Sequence, residues 1–142
     1  MLNILIFLDC DVYIEDVGNI LERFKDENIV ALTGRLQVLP QLETIGDKIV
    51  YFFFNLVHHI KNNILHSGEA PGKFQMIRRT AFDKVNGFRE DLVTREDGDM
   101  FARLSKIGRT VYVHNFLVLH SCRRAHKIGW PNLLFIWMKE SI

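Results

Sequence analysis

Cysteine is scarce in this chain of 142 residues: Cys10 and Cys122 are the only two. Neither lies in a Cys-x-x-Cys pair, which argues against a disulfide framework and against a structural zinc site, and makes a reducing, cytoplasmic compartment the default. Proline is rarer than usual, with three residues, and no proline- or glycine-rich linker divides the chain. Charge of one sign is missing too. A formal charge of +1 gives no electrostatic case for nucleic acid. No stretch approaches the roughly 20 apolar residues of a membrane span. The greasiest run, Ile49 to Ile60, is interrupted by Asn55, His58 and His59. There is no internal repeat and no low-complexity tract.

What is present is a globular composition, 48% hydrophobic against 25% charged, enough for one domain with a real core. The most telling feature stands at the start. Leu2 to Leu8 is apolar but for Asn3 and ends in Asp9-Cys10-Asp11. It lacks the basic lead and small-residue cleavage site of a secretory signal. It reads as a buried strand that delivers two carboxylates to the edge of a sheet, where open α/β folds bind ligands. Two hard oxygen donors there suit Mg²⁺ or Mn²⁺ and, through the metal, a phosphate.

Periodicity orders the rest as α/β. Glu15 to about Glu27 predicts a helix with Val17, Ile20, Leu21 and Phe24 on one face. Ile29 to Val38 predicts a strand closed by Pro40, so strand, helix and strand read as a βαβ unit with parallel strands. Leu42 to about Leu65 has helical spacing with a wide apolar face of Leu42, Ile45, Ile49, Phe53, Leu56 and Ile60. A core helix is the plain reading. The functional alternative is a helix lying on a membrane surface or gripping a lipid-linked acceptor, with few lysines (Lys48, Lys61) to favour a strongly anionic surface. Phe74 to Ile77 predicts a short strand, Thr80 to Asn86 a helix stopped by Gly87, and Glu96 to Ile107 the clearest helix. Thr110–His114 and Phe116–His120 predict two short strands. The apolar tail over 131–142 reads as a helix beginning near Pro131.

Several residues carry chemistry at element ends. Asp97 precedes Met100 and Phe101 by three and four positions and shares their inward face. It is either a site residue or half of a capping box with Thr94. His120 ends an apolar strand, and Arg123, Arg124 and Lys127 follow. A histidine there is ordinarily structural and a basic cluster ordinarily solvated. Yet a departing diphosphate needs positive charge, and arginine forks match phosphate oxygens.

Taken together, Asp9-Cys10-Asp11, the run from Gly72 through Leu92, then Arg95-Glu96-Asp97-Gly98-Asp99-Met100-Phe101-Ala102-Arg103-Leu104, Gly108 and Val118-Leu119-His120 resemble the inverting family-2 glycosyltransferases of the GT-A fold. Order and spacing agree from Leu2 to about Trp130, so residues 1–130 are expected to be a partial GT-A domain, a Rossmann-like mixed sheet with flanking helices. The resemblance implies transfer of a single sugar from a nucleotide-diphosphate sugar to the hydroxyl of a sugar, glycan or lipid-linked acceptor. It implies that Asp11 and His120 bind Mn²⁺ or Mg²⁺ and that Asp9 sits beside them towards the ribose. Asp97 is then the general base, Glu96 supports the acceptor end, Gly72 to Phe74 line the acceptor side, and Arg123 and Arg124 hold the diphosphate. Nothing resembles the Gln-x-x-Arg-Trp signature of processive members.

Inversion is a single displacement, so one base suffices and a paired-carboxylate layout is not expected. Family members normally carry a preceding portion with the first strand and the groove for the nucleotide base. A separate N-terminal half or a second copy is therefore an expected partner, and Leu2–Leu8 is expected to present an apolar edge. A peripheral contact at the inner face of the membrane, through 42–65, is compatible with this reading.

Two rivals stand beside it. A haloacid-dehalogenase-like phosphatase would use Asp9 as nucleophile, but Tyr13 stands where Thr or Val is needed, and Arg103 and Leu104 where a late acid should fall. A non-catalytic interaction module derived from a glycosyltransferase would pair through the strand edge or the Phe-rich helix.

Overall fold

The computed structural model describes residues 3–140, so Met1 and Leu2, like the last two residues of the tail, lie outside the described residues. In chain order come β1 (Ile4–Leu8), β2 (Val12–Ile14), α1 (Gly18–Leu21) continued by a 3₁₀ turn over Glu22–Lys25, β3 (Ile29–Val38) and α2 (Ile45–His59), which runs into a π-helical turn over Ile60–Ile64. Then follow β4 (Phe74–Arg78), α3 (Arg79–Lys84), α4 (Glu96–Leu104), β5 (Arg109–His120), α5 (Arg123–Ile128) and α6 (Trp130–Glu140).

The strands form one mixed sheet in the order β1-β4-β3-β5-β2. The fold is thus α/β, a five-stranded mixed sheet with flanking helices. β1 and β3 are each antiparallel to β4, so they run the same way, as expected, but with β4 between them. β3 and β5 pair in parallel through the middle of the sheet. β1 lies at an edge, with Ile6 and Leu8 exposed.

Alternating side chains of the central strands supply two cores. Ile29, Leu32, Leu36, Phe74, Met76, Val111, Val113 and Val118 pack beneath Ile20 and Phe24 of the α1 segment. On the opposite face Val30, Ala31 and Ile77 meet Ala81 of α3 and Met100, Phe101 and Leu104 of α4. The last three are fully buried, each contributing about 1.5–3 kcal/mol. Ile107, the expected end of this helix, lies past its observed end at Leu104 and is exposed.

Three expectations are corrected by backbone detail. The predicted pair of strands over 110–120 is the single strand β5, which bulges. Gly34 of β3 faces Val113, but Arg35 already faces Leu117. A Cβ at Gly34 would lie 2.7 Å from the Phe116 carbonyl oxygen, so the bulge requires a glycine opposite it. The helix expected from Glu15 begins only at Gly18, where the Asp16 carboxylate accepts the Gly18 N–H at 2.8 Å.

The third correction concerns α2, whose predicted core face is turned outward. Ile45 is 77% exposed, Phe53 59% and Ile49 54%, and Leu42 and Leu56 are exposed as well. The buried positions are polar: Asp47, His58 and, in the π turn, Asn62. The reason is that α2 docks on the sheet through amides. Asn55 accepts from the Leu36 N–H and donates to the Leu36 carbonyl, both at 2.9 Å. Asn63 does the same with Tyr112, and Asn62 bridges the Glu69 backbone to Thr110. These bonds satisfy backbone groups beside the bulge and set the helix's rotation against its apolar stripe. No helix among the described residues is long and apolar enough to cross a membrane.

Candidate functional site

A cleft of about 1080 Å³ opens between α2, α5 and α6 on one side and the loops after β1 and before β4 and α4 on the other. That volume lies at the upper end of ligand pockets. Asp11, Asp97, His120, Arg123 and Arg124 all line it, with Lys73 and Gly72 between the two acids. Residues predicted from widely separated stretches of sequence therefore share one cavity. Asp9 and Glu96 fall outside its lining and act on it by charge.

The turn after β1 places Asp11 where Lys73 Nζ stands 3.5 Å from its Oδ1 and 3.5 Å from Asp9 Oδ2. Ser121 Oγ donates to Asp11 Oδ2 at 2.8 Å. Burial pushes the Asp11 carboxyl up, but Ser121 and Lys73 outweigh it and hold the group below the usual carboxylate value. His120 is paired with Val12 across β2 and β5, so it neighbours Asp11. It is fully buried, and both ring nitrogens lack a hydrogen-bond partner. Tyr51 meets the ring edge to face at 4.8 Å between centroids. Burial above all, with the Lys73 charge, pushes His120 down to about 4, so it is neutral at pH 7.

Asp97 is the second residue of α4. Arg95, in the left-handed region with φ 63°, occupies the cap, and no side chain caps the helix. The capping alternative with Thr94 is thereby overturned: the αL turn leads the chain into the helix on a path that leaves Asp97 free to face the cleft. Its Oδ1 accepts from Gln75 Nε2 at 3.0 Å. Burial, followed by the charge of Glu96 and then, beyond Gln75's opposing bond, those of Asp9 and Glu69, raises its pKa to about 6. Gly72 makes room for it, since a Cβ there would lie 2.5 Å from Asp97 Oδ2. A carboxylate tuned near neutrality beside a cavity is suited to taking a proton from a bound hydroxyl.

Sequence reasoning missed Gln75, Ser121 and Glu69. Lys73 falls in the Gly72–Phe74 stretch expected to line the acceptor side, but its pairing with Asp9 and Asp11 was not foreseen. Ser121 adjoins His120 and carried none of its own.

A second polar group lies at the start of α2. Asp47, Cys122 and His126 bring donor atoms within 4.8 Å of one another, the one such gathering of three or more His, Cys, Asp or Glu among the described residues. Asp9, Asp11 and His120 do not come that close as a trio. Asp47 is saturated already. Oδ2 accepts from the Thr44 N–H at 2.9 Å and pairs with His126 Nε2 at 2.7 Å, while Oδ1 accepts from Trp130 Nε1 at 2.7 Å. Burial raises its pKa, but the Thr44 N–H, His126 and Trp130 more than reverse this and hold it low. The arrangement pins α5 and α6 to α2 and so builds one wall of the cleft. Cys10 is an exposed free thiol and Cys122 a buried one.

No protein-family model matches the chain, and no curated protein matches it.

Proposed function

We propose that this chain carries the metal and acceptor side of an inverting, GT-A-like sugar transferase, moving one sugar from a nucleotide-diphosphate sugar to an acceptor hydroxyl. The observation that carries the reading is Asp97: a desolvated acid with a pKa near 6, facing the same cleft as Asp11, His120 and two arginines. As general base it accepts the proton of the acceptor hydroxyl as the oxygen attacks the sugar's anomeric carbon. Gln75 fixes the carboxylate's direction, and Gly72 keeps its approach open. Glu96 supports the acceptor end and keeps Asp97 basic by repulsion.

The donor set fits a divalent ion. Asp11 offers carboxylate oxygen, and buried His120 offers ring nitrogens that nothing else engages. These two residues would hold Mn²⁺ or Mg²⁺. Such an ion supplies charge neutralisation for the departing nucleoside diphosphate. Lys73 spans Asp9 and Asp11 as a cation of the chain's own, and Arg123 and Arg124 supply forked donors at the opposite wall.

The test combines two variants with Mn²⁺-dependent binding of a nucleotide-diphosphate sugar, followed by calorimetry, and with release of nucleoside diphosphate in the presence of acceptor. Asp11→Ala is expected to abolish Mn²⁺-dependent binding. Asp97→Asn is expected to preserve binding and cut turnover by about 10²–10⁴-fold. Unchanged affinity in Asp11→Ala, or equal loss of binding in both variants, contradicts the assignment.

A further inference from the structure

A second pocket, of about 410 Å³, lies between α2 and the bulged stretch of β3 and β5. That volume falls within the range of small-molecule sites. Tyr51 and Leu36 line both cavities and stand between them. No residue assigned above to sugar transfer lines the second. Two of its donors have nothing to donate to. Tyr112 is only 3% exposed, and its hydroxyl has no hydrogen-bond partner among the described residues. Asn63 bonds the Tyr112 N–H and carbonyl, at 2.9 Å each, and fixes the backbone that carries the ring. Burial pushes the phenol up to about 12 against the Arg35 charge, so it keeps its proton. Arg35, half-buried, is the first residue of β3 past the bulge. Its side chain makes one hydrogen bond, to Gln37 Oε1 at 3.2 Å, and no ion pair among the described residues. Buried polar groups are ordinarily satisfied, so a phenol and a guanidinium left over at one pocket call for an acceptor. β-Bulges recur beside functional sites because they re-aim side chains in this way.

The lining defines the chemistry of that acceptor. Arg35 and Lys48 are permanent cations, Glu43 is the one carboxylate, and His59 and His114 add charge only when protonated. Glu43 pairs with neither cation among the described residues. A carboxylate, which accepts through two oxygens, matches a guanidinium fork and takes a further bond from a phenol. The rest of the lining is apolar and ring-rich, with Tyr51, Phe52 and Leu56, against which a flat apolar body packs. A bare phosphate would leave those rings unused. We propose that this pocket binds a small aromatic carboxylate, its oxygens held by the Arg35 guanidinium and the Tyr112 hydroxyl and its ring packed against Tyr51, Phe52 and Leu56. The inference stands on this pocket and does not require sugar transfer.

Titration of the full chain with naphthoate, followed by calorimetry and by amide NMR shifts, tests it. Saturable binding is expected, with the shifts centred on Arg35, Tyr112 and α2. Naphthamide, which keeps the rings and lacks the charge, is expected to bind at least about tenfold more weakly. Tyr112→Phe removes only the orphaned hydroxyl, so the variant is expected to be at least as stable as the parent protein. It is expected to weaken naphthoate binding about tenfold, as is Arg35→Gln. Absence of naphthoate binding up to about 10 mM overturns the inference. Equal affinity for the amide, unchanged affinity in the folded Tyr112→Phe variant, or equally tight binding of inorganic phosphate also overturns it. A Tyr112→Phe protein less stable than the parent would show that the hydroxyl already has a partner within the chain, with the same consequence.

Discussion

Thr44-Ile45-Gly46-Asp47 and Thr94-Arg95-Glu96-Asp97 share one local pattern, a threonine and an aspartate three apart at the mouth of a helix, and the protein uses them in opposite ways. At the first, Thr44 is extended, its hydroxyl accepts the Asp47 N–H at 3.1 Å, and Asp47 returns a bond to the Thr44 N–H. That is a complete capping box, joined by Trp130 and His126, and it holds an acid below its ordinary pKa. At the second, a left-handed Arg95 takes the cap, and Asp97 receives one bond, from Gln75, among three other acids. An acid given every bond it can accept becomes a structural pin. An acid given one, and desolvated, becomes reactive. The difference lies in the partners each segment meets, from α5 and α6 in one case and from β4 in the other.

The largest break in this comparison comes from Asp47→Ala. It removes the fully buried acceptor of the half-buried Trp130 indole N–H, the His126 ring and the Thr44 N–H, and is expected to cost about 3 kcal/mol in urea denaturation. Equal stability to the parent protein would mean that the staple is dispensable.

Asp97→Asn is expected to act with the opposite sign. The folded pKa of Asp97 is raised, so its favourable contribution is fully present below its ordinary value of 3.8 and is lost as pH rises through about 6. Removing the charge restores that loss. A shift of this size bounds the gain at about 3 kcal/mol, and partial exposure to solvent reduces it to about 1 kcal/mol at pH 8, fading to nothing below pH 4. A variant less stable than the parent at pH 8 would show that Asp97 is a pin like Asp47.

The smallest effect separates the threonines. Thr44→Ala removes a working cap and is expected to cost about 1 kcal/mol, whereas Thr94→Ala, which caps nothing, is expected to stay within about 0.5 kcal/mol. Matching losses at both positions would erase the distinction drawn between the two helix mouths.

The same contrast explains how far the sequence could be read. Ile29–Val38 was legible to the residue because a long, almost continuously buried run closed by Pro40 leaves one solution for a central strand. The convergence of Asp11, Asp97 and His120 on one cleft was legible because Asp11 follows an apolar strand, His120 ends one and Asp97 opens a helix, and element ends gather at one side of a sheet. β2 was not legible, since three residues give no period. α5, at six residues, was hidden by its charge. The orientation of α2 was invisible because apolar spacing states that a face is apolar and says nothing of where it points. Asn55, Asn62 and Asn63 decide that, through backbone partners far away in the chain. A capping box was weighed at Thr94, against a site role for Asp97, and is found at Thr44 for a related reason: the pattern is identical, and only tertiary contacts distinguish the two.

The central claim is that Asp97 is a desolvated, uncapped acid held ready to take a proton, and it is tested most directly by carbon-13 NMR titration of its side-chain carboxyl. The account predicts a midpoint near pH 6. A midpoint at or below 3.8, the mark of a solvated or capped carboxylate, would contradict it.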